Sequence, residues 1–202
     1  AIRSCLVGSE MCIRDSDLGA FLKKNKFVER SGYKFVWKNK QYHDFDDYLN
    51  IFKSRQRKNI KNERKKISKL GITFEVKDKN NLKEDDWDDF YIFYKNTYDQ
   101  RFQPPYLNKD FFYHVHQNKK ELSPVIFFAI HEKKRIAASL CFKNNNALYG
   151  RHWGSTYNID SLHFECCYYQ GIEYCINNHL QIFDPGVPVS YTHLRAHETR
   201  PY

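Results

Sequence analysis

Between Asn146 and Gly186 the chain reads NALYGRHWGST, YNIDS, LHFECCYYQGIEYCINNHL and QIFDPG: a strand, a short polar connection, an amphipathic helix and a second strand. No other stretch constrains the fold as much, because an amphipathic helix that follows a strand must bury its apolar stripe against the sheet. In the strand, Ala147, Tyr149, Arg151 and Trp153 alternate with Leu148, Gly150 and His152, the period of a strand with two distinct faces. An arginine between two aromatics on one face is an unusual core. In the helix, Leu162, Glu165, Tyr169, Ile172 and Ile176 recur at spacings of three and four, which places Glu165 on the inward stripe.

The remaining elements build a layered fold around this unit. A strand is predicted near Tyr33–Lys38, in need of a partner that the pattern puts upstream. Residues 44–70, from FDDYLNIF to ISKL, read as one long helix with acidic residues at its start, lysines at its end and Gly71 as the stop. A strand over 72–77 and an aromatic helix over 84–101 follow. Gln103–Leu107, with Pro104 and Pro105, breaks that helix, and Asn108 caps the next. VIFFAI and RIAASLCF form a hairpin, joined by the strand over 147–153 in an antiparallel meander. The expected class is α/β (α+β), a mostly antiparallel central sheet with flanking helices.

Composition isolates the two ends. The chain has 33 Lys and Arg against 24 Asp and Glu, yet residues 1–16 and 187–202 hold no lysine at all. AIRSCLVGSEMCIRDS and PVSYTHLRAHETRPY resemble translated sequencing-adapter sequence, so both tails are set aside, along with the helical spacing of His193 and His197 and the pair Cys5 and Cys12. The remainder divides into 17–43, the end of a preceding half, and 44–186, the main domain. Its cysteines, Cys141, Cys166, Cys167 and Cys175, match neither a zinc ribbon nor a disulfide framework. No membrane span or metal motif is read, and a cytoplasmic location is expected. His163-Phe164-Glu165 lacks the P-C-x-x-C partner that a zinc deaminase needs.

A net charge of +9 suggests anionic partners. The cations concentrate on the long helix, where Lys53, Arg57, Lys58, Lys61, Arg64 and Lys65 read either as a solvated face or as a phosphate-binding surface. They spread over too wide an arc for one pocket, so a broad polyanion suits them better than a single phosphate.

The basic stretch, the helix ending NTYDQRF with PPYL, the LYGRHWG strand, the LHFE-to-QGIEY helix and FDPG together resemble the FemAB-like branch of the GNAT acyltransferase superfamily, over nearly all of residues 17–186. The resemblance implies a GNAT-like fold, incomplete at both ends in an interior fragment, and acyl or aminoacyl transfer to an amine, on a cell-wall precursor. It implies acetyl-CoA or an aminoacyl-tRNA as donor, and tRNA or a nucleotide-linked precursor as partner. GNAT enzymes seat the CoA pyrophosphate on a Gly-rich turn; the matching connection here, GSTYNIDSLHFE, has Gly154 as its one glycine. The alternative class is a non-catalytic module binding RNA or another polyanion through Lys53–Lys69.

Acyl transfer to an amine needs a proton acceptor, a polarised carbonyl and a stabilised leaving group. Glu165 is the candidate base or amine-orienting carboxylate, and a salt bridge to Arg151 is an equally open reading of it. His163 and Tyr149 complete the catalytic candidates, with His152 on the opposite strand face as a second proton-transfer group. Arg151 is placed to clamp a carboxylate or phosphate, with Tyr149 and Trp153 walling the site and Arg101, Tyr106 and Tyr168 as further substrate contacts.

Overall fold

In the computed structural model, residues 36–186 are described continuously, with Arg3, Ser4, Lys24, Asn25, Phe27, Ser31 and Gly32 also described. Cys5, Cys12, His193 and His197 lie outside the described residues, as do nearly all of the two set-aside tails. Contacts divide the chain into units 1–35 and 36–202. In the first, β1 (Arg3–Ser4) pairs antiparallel with β2 (Ser31–Gly32).

The second unit runs β3 (Trp37–Lys38), α1 (Phe45–Leu49), α2 (Ser54–Lys69), β4 (Thr73–Asp78), α3 (Glu84–Asp99), α4 (Lys109–Gln117), α5 (Lys119–Leu122), β5 (Pro124–His131), β6 (Lys134–Lys143) and β7 (Ala147–Ser155). A helical rod follows in three parts, α6 (Leu162–Phe164), a π-helical turn (Glu165–Tyr169) and α7 (Gln170–Asn177), before β8 (Ile182–Asp184). Six strands form one sheet in the order β3-β8-β7-β6-β5-β4, with β7–β8 its one parallel pair. The mixed, mostly antiparallel α+β architecture is the expected one.

Burial explains the layering. β5 is apolar without alternation, and Val125 to Ala129 are all buried, so the strand is covered on both faces. On one side Val125, Phe127, Cys141 and Leu148 pack under Phe45, Leu49, Ile172 and Ile176 of α1 and α7. On the other, Ile126, Phe128, Ala138 and Leu140 lie under Trp87, Phe90, Tyr94 and Phe112 of α3 and α4. Asn108 caps α4 as expected, its side chain accepting from the Phe111 N–H at 3.0 Å.

Three local expectations are corrected. The helix over 44–70 is two helices, because Lys53 is extended (φ −60°, ψ 149°) and Phe52 folds back edge-on to Tyr48, ring centroids 5.1 Å apart. The strand at Trp37–Lys38 finds its partner downstream, in β8, rather than upstream. Finally, β7 does not keep its period. Leu140 pairs with His152 but Cys141 pairs with Gly150, which leaves Arg151 as the extra residue of a β-bulge. Tyr149 therefore lies opposite Phe142, on the α3–α4 side, while Trp153 lies opposite Ser139, whose hydroxyl donates to the Cys166 carbonyl on the other side. Tyr149 and Trp153 do not wall the same site.

Candidate functional site

The bulge opens a cleft of about 340 Å3 where the sheet meets the end of α3 and the π-helical turn. Six of the candidate residues singled out from sequence line it: Arg101, Arg151, His152, Trp153, His163 and Tyr168. Each arrives on a different kind of element. Arg151 comes from the bulge, its Nη1 donating to the Gly150 carbonyl at 3.3 Å. Arg101 follows the last turn of α3. That helix lies directly on β7, where a Cβ on Gly154 would come within 2.0 Å of the Phe93 carbonyl oxygen, and the Thr97 hydroxyl donates to the Trp153 carbonyl at 3.0 Å. His163 stands edge-on to both Trp153 and Tyr168, at 5.3 and 5.8 Å between centroids.

Among the described residues no aspartate or glutamate lines this cleft, and no ion pair involves Arg101 or Arg151. The lining is electropositive. Burial pushes the Tyr168 hydroxyl up to about 12, so it remains a donor at ordinary pH, and burial holds the Cys167 thiol well above its usual value. His152, the other histidine that the sequence offered for proton transfer, also lines the cleft, packed edge-on against Tyr94. Burial, aided by the Arg151 charge, lowers it to about 4, which keeps the imidazole neutral.

Glu165 and Tyr149 do not line this cleft, and Tyr106 is exposed beyond it. Glu165, 3 % exposed, opens the π-helical turn and lines a second groove, of about 680 Å3, with α1 and α2. The salt bridge weighed with Arg151 is made instead by Arg64. Its Nε donates to both Glu165 carboxylate oxygens at 3.2 Å, and its Nη2 donates to Glu173 at 2.6 Å. Gln170 adds a bond to Glu165 at 2.8 Å, a contact that the wider π turn permits by bringing residues five apart together. Burial works against the charged guanidinium, but the two carboxylates outweigh it and raise the Arg64 pKa.

Arg64 is thus consumed within the fold and withdrawn from the expected phosphate surface. Arg57, Lys58, Lys61 and Lys65 instead surround a shallow hollow with Ser54 and Asn62. Within it Arg57 donates to the Phe52 carbonyl at 3.1 Å and Lys61 pairs with Asp46 at 2.8 Å. Lys53 is exposed ahead of the helix. Among the described residues no cluster of three or more His, Cys, Asp and Glu is placed to hold a metal, and no helix is long and apolar enough to cross a membrane.

Fold and site together define a mixed α+β protein whose six-stranded sheet opens, at a strand bulge, into an electropositive cleft. Residues 4–200 match the model of the FemAB-like family, described as peptidoglycan biosynthesis and recognition, and the chain belongs to that family. The match runs through both flanks. No curated protein matches the chain.

Proposed function

We propose that this chain is a GNAT-type acyltransferase that acylates an amine on a peptidoglycan precursor. The observation that carries the reading is the cleft at the β7 bulge, which sets two arginines in a lining without carboxylates. Such a lining favours a donor whose activated acyl group is tied to phosphate, as in acetyl-CoA or an aminoacyl-tRNA. Arg101 and Arg151 hold the phosphate, while Trp153 and Tyr168 wall the acyl group. The Tyr168 hydroxyl donates to the carbonyl oxygen as charge develops on it. The amine nitrogen then attacks the carbonyl carbon, an imidazole takes the amine proton, and the bond from that carbon to the donor's sulfur or oxygen breaks as the imidazolium returns the proton to the departing atom. His163 is the first candidate for that imidazole and neutral His152 the second. Glu165 acts as a positioning residue, fixing the start of the turn that carries Cys167 and Tyr168.

The alternative, a non-catalytic polyanion module, draws on the exposed Lys58, Lys61 and Lys65. It predicts RNA affinity that falls steeply with salt and is indifferent to Arg101 and Arg151. A thermal-shift series separates the readings. Stabilisation by acetyl-CoA that disappears in R101A/R151A supports the thioester donor, and aminoacyl-tRNA binding lost in the same variant supports the ester donor. Donor binding that survives loss of both arginines overturns the cleft assignment.

A further inference from the structure

The end of α3 differs from those of α2 and α7 in the residue at its left-handed position. The Gln103 N–H bonds to the Tyr98 carbonyl at 3.1 Å and the Phe102 N–H to the Asp99 carbonyl at 3.0 Å, which is a Schellman motif with Phe102 at its left-handed position, φ +54°. The same motif ends α2, where the Ile72 and Gly71 N–H groups reach Ile67 and Ser68, and there the left-handed residue is Gly71. It ends α7 as well, through His179, a residue type enriched in that region. Phenylalanine suits the position poorly, since its Cβ crowds the following carbonyl and its side chain offers no polar bond in return. Burial gives no compensation, because Phe102 is 98 % exposed. A strained aromatic that stabilises nothing in the fold points to a contact outside it.

Its surroundings say which contact. Arg101, the preceding residue, lines the carboxylate-free cleft with Arg151. The loop that Phe102 begins carries Pro104, Pro105 and the exposed Tyr106, then returns to the cleft wall, where the Leu107 N–H donates to the Tyr94 hydroxyl at 3.0 Å. Two exposed rings on a loop whose two ends, at Arg101 and at the Leu107–Tyr94 bond, lie on the wall of a cleft with two arginines suit a ligand with a flat ring at one end and phosphate at the other.

We propose that Phe102 and Tyr106 form a stacking platform for the base of a nucleotide whose phosphates lie on Arg101 and Arg151. The proposal rests on the anionic-donor reading of the cleft and names the ligand class it takes. Aromatic stacking tolerates either kind of base, so the platform selects the nucleotide class rather than one nucleobase.

Isothermal titration with ADP, UDP and inorganic pyrophosphate tests it on wild type, F102G, F102W and R101A/R151A. Both nucleotides are expected to bind about tenfold more tightly than pyrophosphate. F102G should lose that advantage without weakening pyrophosphate, and its melting temperature should rise by roughly 2–4 °C as glycine relieves the left-handed strain. F102W should retain nucleotide affinity without the rise. Equal affinity for nucleotide and pyrophosphate in wild type, or unchanged nucleotide affinity in F102G, overturns the platform. In that case, pyrophosphate binding lost in R101A/R151A leaves the anion cleft standing. If none of the three probes binds, the cleft reading falls and the platform with it.

Discussion

Arg64, on a helix, and Arg151, on a strand, are both cations that the sequence put forward as phosphate contacts, yet they end in opposite environments. Arg64 lies over the Phe45 ring at 4.3 Å and is held by Glu165 and Glu173, so its charge is spent joining α2 to the π-helical turn. Arg151 stands on a strand bulge, exposed, and is joined in the cleft by Arg101 and by no carboxylate. The difference teaches that a cation's role follows from the acids that the fold delivers to it. An arginine balanced inside the structure stabilises it, whereas one left unbalanced in a concave site is available to a ligand.

The comparison can be broken most forcefully at Gly154. Substituting alanine drives a Cβ into the Phe93 backbone, and because α3 supplies the Arg101 wall, the cleft should be lost before the groove. Denaturant unfolding is expected to show a loss of roughly 4 kcal/mol or more. Next comes R64A, which strands the buried Glu165 carboxylate with Gln170 alone; removing one partner of a buried pair costs about 3 kcal/mol or more. A loss below 1 kcal/mol would show that Arg64 is not the structural member of the pair.

The third test uses pH. His152 is lowered to about 4 in the folded chain, so between that value and the ordinary histidine range near 6.5 the unfolded state binds more protons. Stability should therefore rise as pH increases through this window, by at most about 3 kcal/mol for this group. The His152→Asn variant should flatten that part of the curve, and an unchanged slope would exclude His152 as its source. The smallest stability effect belongs to R151A, expected within about 0.5 kcal/mol of wild type by the same unfolding measurement while anion binding is lost. Strong destabilisation instead would place Arg151 with Arg64 among the structural arginines.

Much of this molecule was legible in one dimension. The unbroken apolar run of β5, the period of the α3 aromatics, the Asn108 cap and the inward stripe from Leu162 to Ile176 each follow from local spacing, and each stands as expected. Six cleft residues could also be named, because arginine, tryptophan, histidine and tyrosine are conspicuous around a strand and its following helix. What depended on register was not legible. One extra residue at Arg151 turns Tyr149 and Trp153 to opposite faces, since side chains in a strand alternate with a period of two. The pairing of Glu165 with Arg64, 101 positions away, needed the helices to meet in space. Sequence alone determined which segments are helix or strand and which faces are apolar, because those depend on neighbours a few residues apart. The tertiary structure decided which charges cancel and which remain for a ligand, because electrostatic partners are chosen by distance in space, and the order of the chain does not encode that distance.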